Sequence, residues 1–133
     1  MNRIRIAAST AVVATALVLG AAPVASAAPA RVAASACVTD LQAAQTSNNA
    51  AISADQLNNT SAARTANLST ATSLLSAVVD CLGQPSAVTA NVLTATTSNA
   101  AAVVFNLLGA SAAALDSERS TASALTQALA NAS

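Results

Sequence analysis

The sequence predicts an all-α protein: an up-down-up-down four-helix bundle made of two helical hairpins, with a small Ala-rich core and one disulfide. Three observations carry this. Ala is by far the most frequent residue and Leu is common, while Pro and Gly are confined to a few points. Two cysteines, Cys37 and Cys81, stand at a spacing that a helical hairpin closes. Finally, the chain repeats weakly at an offset of 51: Thr46-Ser47-Asn48 matches Thr97-Ser98-Asn99, and Ser69-Thr70-Ala71 matches Ser120-Thr121-Ala122.

Residues 1–27 read as a secretory signal peptide. Arg3 and Arg5 precede an uncharged run from Ile6 to Gly20, and Ala25-Ser26-Ala27 closes the segment with a small-residue cleavage site. The apolar run is short for a membrane span, so cleavage is expected after Ala27. The Ala- and Val-rich style of this leader resembles that of exported proteins of high-GC Gram-positive bacteria. Residues 28–133 then form a single domain, with 28–36 expected as a flexible N-terminal segment. This part keeps three Arg against five carboxylates, formally minus two, and attraction to nucleic acid is not expected. Its apolar residues are thirty Ala and twenty-four larger side chains. A core of that kind is thin, and a covalent staple helps it.

Both cysteines fall in the exported part, where an oxidising compartment favours pairing. A continuous helix from Cys37 to Cys81 would hold them about 66 Å apart at 1.5 Å per residue, whereas a disulfide needs Cα atoms within about 7 Å. Asn59 is their midpoint, and a reversal there brings them together. The alternative is two long helices forming a hairpin, with the cysteines joining separate chains.

Helices are therefore expected near 37–57, 61–82, 87–108 and 112–130. The strongest break is Leu82-Gly83-Gln84-Pro85-Ser86: Gly83 ends one helix in a left-handed conformation, Pro85 blocks continuation and Ser86 caps the next. Asn58-Asn59-Thr60-Ser61 and Gly109-Ala110-Ser111 are weaker breaks, and the repeat superposes Asn58 on Gly109. Helical wheels give the apolar stripes Val38, Leu41, Ile52; Leu68, Ala71, Leu75, Val78, Leu82; Val88, Val92, Val103, Leu107; and Leu115, Ala122, Leu125, Leu129.

Three of the few charges fall on these stripes: Asp55, Arg64 and Glu118. At one end of the bundle they are expected to form an ion cluster, either a structural network or a small polar pocket, with Asn106 at its edge. Asn48 and Asn99, related by the repeat, are expected to point inward and set register. Asp116 and Arg119 fit a surface helix pair. Asp40 suits a helix start, while Asp80 calls for a partner such as Arg31. Phe105 projects away from Val103 and Leu107, and with Leu108 it forms a candidate partner patch.

No catalytic constellation is present. The chain has no His, Lys, Trp or Tyr, so its Ser and Thr hydroxyls lack a base and neither cysteine has a metal-ligand spacing. No Thr row of the kind that binds ice appears. No metal, cofactor or nucleic acid is implied, and the most apolar mature stretch, from Ala100 to Leu115, is too short for an integral span. In outline, a disulfide-clamped hairpin packed on a second hairpin resembles the plant inhibitors of pectin methylesterase and invertase. Their additional cysteines and their acidic, aromatic clamp sequence are missing, so the resemblance implies architecture alone.

The reading that follows is a secreted or cell-envelope-associated, non-enzymatic helical protein that binds an unidentified protein or apolar surface, with self-association a further option. A membrane- or interface-active amphipathic protein and a carrier for a small ligand are the alternatives.

Overall fold

A computed structural model describes residues 27–132, with side chains from residue 34 onward. The chain forms four helices, α1 (Ala27–Gln56), α2 (Thr60–Asp80), α3 (Ser86–Leu107) and α4 (Ser111–Asn131), with no strand among the described residues. The helices run up and down in sequence. α1 packs on α2 and α4, and α3 packs on the same two from the opposite side. This is the expected four-helix bundle rather than one long hairpin. Apart from Ala27, the expected leader lies outside the described residues. α1 starts at Ala27 rather than near residue 37, so the segment 28–36, expected to be flexible, is helical. Pro29 falls in the first turn, where its missing N–H costs nothing.

Each reversal has a local cause. At the first, Asn58 takes a left-handed φ of 55° and the Asn59 side chain accepts the Ala62 N–H at 3.1 Å, capping α2. At the third, Gly109 takes φ 71° at the position equivalent to Asn58. The same turn bond recurs in both: Asn59 N–H donates to Ala54 O at 2.9 Å, and Ala110 N–H donates to Phe105 O at 2.8 Å. At the middle reversal Gly83 has φ 88° and Pro85 occupies the cap position before α3. Ser86, expected as a cap, is instead the first helical residue of α3, as Ser111 is of α4, and neither cap position makes a side-chain bond. Pro85 supplies a suitable φ for helix entry without a hydroxyl, and the tight turn at Gly109 brings Ala110 into that place.

The core shows how the repeat is used. α1 buries Cys37, Leu41, Ala44, Asn48, Ala51 and Asp55, alternating steps of four and three as in a coiled-coil seam. A shift of 51 carries this row onto Val88, Val92, Ala95, Asn99, Ala102 and Asn106 of α3, all buried. The same shift carries Ala63, Asn67, Thr70, Leu74, Ala77 and Cys81 of α2 onto Ala114, Glu118, Thr121, Leu125, Ala128 and Ala132. The two hairpins are thus related by a pseudo-twofold axis along the bundle. Larger apolar side chains gather with the disulfide at one end, and Ala, Asn and carboxylate side chains occupy the other. Cys37 and Cys81 form the disulfide within one chain, with Cα atoms 4.7 Å apart.

The apolar stripes expected from the wheels require correction. Leu41, Val88, Val92 and Leu125 are buried as expected. However, Leu68 and Leu75 of α2 and Leu82 in the turn after it are 55–66 % exposed, and Leu107 of α3 is also exposed. Val38, Ile52, Ala71, Val103, Leu115 and Ala122 are only half-buried, whereas Val78 and Leu129 lie at the core's margin. The apolar residues of α2 are spread around the whole helix, so the largest ones do not mark its inward face. Closely approaching helices admit small residues on the seam, and Ala63, Asn67, Thr70 and Ala77 fill it.

Candidate functional site

The first candidate is the polar layer at the turn end of the bundle. Four helices each contribute one residue, and these form two repeat-related pairs. Asn106 Nδ2 donates to Asp55 Oδ2 at 2.8 Å, and Asn67 Nδ2 donates to Glu118 Oε1 at 2.7 Å, both across a separation of 51. Asn106 Nδ2 also reaches Glu118 Oε1 at 3.4 Å. One layer deeper, Asn48 Nδ2 donates to the Glu118 carbonyl at 2.9 Å, and Asn99 Nδ2 donates to the Asn67 carbonyl at 3.0 Å. These two bonds are images of each other under the same shift. Asn48 and Asn99 point inward as expected, and their bonds tie α1 to α4 and α3 to α2.

Asp55 and Glu118 do meet, as expected, but Arg64 does not join them. Arg64 is exposed and makes no ion pair among the described residues. It precedes Leu68 by one helical turn, on the row that the wheel took for the core. Amide donors from Asn67 and Asn106 replace the guanidinium. Asn67 is the residue that the wheels missed, and its signal was the offset from Glu118.

Removing this pair of carboxyls from water without a cation has an electrostatic consequence. Glu118 has no solvent-exposed surface, and its pKa is pushed up to about 7, first by desolvation and then by the neighbouring Asp55. The Asn67 and Asn106 amides oppose the shift. Asp55 Oδ1 and Glu118 Oε2 are both buried acceptors without a donor. A proton held on Glu118 removes one of the two buried charges and gives this pair of carboxyls a donor of its own.

The remaining charges are placed at the periphery. Asp116 and Arg119 form an exposed pair at 3.6 Å. At the disulfide end the Asp40 carboxyl is held above its ordinary range, by burial first and then by a hydrogen bond and repulsion from Asp80. The Arg31 side chain lies outside the described residues. No group of three or more His, Cys, Asp or Glu suited to a metal occurs among the described residues.

The second candidate is a surface. Leu108 is exposed at a turn, like its repeat mate Leu57, and Phe105 is half-buried. These two do not define the main apolar patch, which runs along the outer face of α2 and α3. There Leu68 and Leu75 of α2, Leu82 of the turn and Leu93, Val104 and Leu107 of α3 are exposed. Between the helices lies a groove of about 300 Å³, lined by Leu68, Ala71, Leu75, Thr96, Asn99, Ala100 and Val103. By length and composition α3 is apolar enough to cross a membrane, an outcome that the stretch from Ala100 to Leu115 alone did not suggest. Its inward row is nevertheless packed inside the bundle.

The pseudo-twofold axis provides an internal comparison. On the equivalent α1/α4 face, Leu68 is replaced by Arg119, Leu75 by Thr126, Leu93 by Gln42, Val104 by Ser53 and Leu107 by Gln56. A side-chain hydrogen bond from Gln45 to Thr126, at 3.4 Å, spans the α1/α4 face where Thr96 and Leu75 border the open groove. The same fold position is polar on one side and apolar on the other. No protein-family model matches the chain, and neither the curated proteins nor the solved structures contain a match to it.

Proposed function

We propose that the protein is a secreted, non-enzymatic interaction module whose working surface is the α2/α3 face. The observation that carries this reading is the inequality of two faces made from one repeated hairpin. The polar α1/α4 face demonstrates that the bundle does not require leucines at these positions, so packing alone does not account for Leu68, Leu75 and Leu93. Continuous apolar surface of this extent is the usual mark of a contact site. Export agrees with the signal-like residues 1–27 and with a disulfide that needs an oxidising compartment. A non-enzymatic role agrees with hydroxyls that are turned back onto their own helices, as in Thr46 to the Gln42 carbonyl at 2.9 Å and Thr94 to the Ala90 carbonyl at 3.0 Å.

Exchange of face residues for their repeat mates tests the proposal. The variant Leu68→Arg, Leu75→Thr, Leu93→Gln, Val104→Ser should lose retention on a hydrophobic-interaction column and binding of an apolar fluorescent dye, with its helical circular dichroism intact. Equal retention and dye binding by the two proteins would refute the role of this face. Export is tested separately: protein recovered from the culture medium of its own cells should begin near Ala28. The composition of α3 favours a second reading, in which the face lies on a lipid surface. Cosedimentation with zwitterionic and anionic vesicles tests it.

A further inference from the structure

We infer that the occupant of the α2/α3 face is a second copy of this chain, docked through the same face about a twofold axis. The inference rests on the reading of that face as the working surface, and four features of the face select a copy over other partners.

The first is area. Leu68, Leu75, Leu82, Leu93, Val104 and Leu107 are each more than half exposed, and an apolar face of this kind is what a stable complex covers, at roughly 800 Å² per partner. The second is shape. Leucines stand beside a groove whose lining includes the small side chains of Ala71 and Ala100, so protruding and receding elements lie side by side on one surface. An isologous contact requires that self-complementarity, because each copy must present both knob and hole.

Charge is the third feature. Among the described residues the face carries one ionic group, Arg64, at the end of the row that continues through Leu68. Beyond Arg64 it lacks the cluster of Lys and Arg that holds an amphipathic helix on anionic lipid, and the chain has no Trp or Tyr to sit at the headgroup level. Nor does it present a pattern of charges by which a foreign acidic or basic partner would be selected. A matching uncharged surface fits best, and this chain supplies one. The fourth is origin within the fold: hairpin already docks on hairpin inside the bundle through equivalent small-residue seams, so helix pairs of this sequence are suited to lie against one another.

Sedimentation equilibrium on the disulfide-bonded protein, from 1 to 100 μM, tests the inference. The expected result is a reversible monomer–dimer equilibrium. The single change Leu75→Thr should weaken it at least tenfold, and the four-residue variant described above should be monomeric throughout. On the opposite face, Gln45→Ala with Thr126→Ala should leave the equilibrium unchanged. A wild-type protein that is monomeric at 100 μM, while its dye binding still depends on Leu68 and Leu75, would overturn the second-copy inference and leave the docking face standing. A dimer equally stable in the four-residue variant would place self-association elsewhere and overturn it as well. If dye binding also fails to respond, the reading of the face as a working surface falls with it.

Discussion

Asn67 and Glu118 occupy the same position in the two halves of the chain, and the amide of one donates to the carboxyl of the other at 2.7 Å across the pseudo-twofold axis. A repeat of identical residues here would face Asn with Asn or Glu with Glu. The halves instead carry a complementary pair here, and Asp55 with Asn106 forms another. The raised pKa of Glu118 follows from this arrangement, which supplies amide donors but no cation.

Stability should therefore fall as pH rises from about 5 to about 7. The folded state holds the Glu118 proton up to about pH 7 while the unfolded chain releases it near 4.5. Between those values the native state binds more protons, so its advantage declines with pH and levels off above 7. The decline should be about 2–4 kcal/mol. The raised pKa of Asp40 acts in the same direction. Urea unfolding at a series of pH values measures this. Glu118→Gln should flatten the profile, and an unchanged slope in that variant would assign the titration elsewhere.

Arg64→Met should change stability by less than about 1 kcal/mol, because an exposed cation without a partner contributes little. Asn67→Leu should instead cost about 2–4 kcal/mol, since it leaves a buried carboxyl oxygen without its donor. Asn67→Leu combined with Glu118→Leu should recover part of that loss. Strict additivity in this pair would contradict the bond at the axis.

The contribution of the cross-link can be isolated using the repeat. Val88 and Ala132 stand where the first hairpin has Cys37 and Cys81, so Cys37→Val with Cys81→Ala removes the disulfide and retains apolar packing. The loss should be about 4 kcal/mol for a closed loop of this length. On non-reducing gels the wild type should show no covalent dimer, and thiol reagents should not label it before reduction.

At the equivalent turns, Gly109→Ala should cost about 1 kcal/mol or more because a Cβ is strained at positive φ, although nothing crowds it. Asn58→Gly should be nearly neutral. Thermal unfolding of both variants measures the difference, and equal midpoints would contradict the left-handed conformation at Gly109.

The sequence by itself determined the helices, the places where they stop and the order in which they pack. Gly83, Pro85, Asn58 and Gly109 act on the backbone nearby, and a reversal at Asn59, midway between Cys37 and Cys81, is what a disulfide within one chain requires. Meeting of Asp55 and Glu118 at one end was also legible, because both lie on inward rows whose heights follow from helix geometry. The inward face of α2 and the placement of Arg64 were not. Hydropathy weights a position by what its side chain gains on leaving water, and by that measure Leu68, Leu75 and Leu82 outrank Ala63, Asn67 and Ala77. Which row faces the axis is decided by how closely four helices can approach, a property of all of them together that favours small side chains. The tertiary structure therefore placed Ala63, Asn67, Thr70 and Ala77 inside beside Leu74, turned Leu68 and Leu75 out beside α3 and left Arg64 at the end of their row.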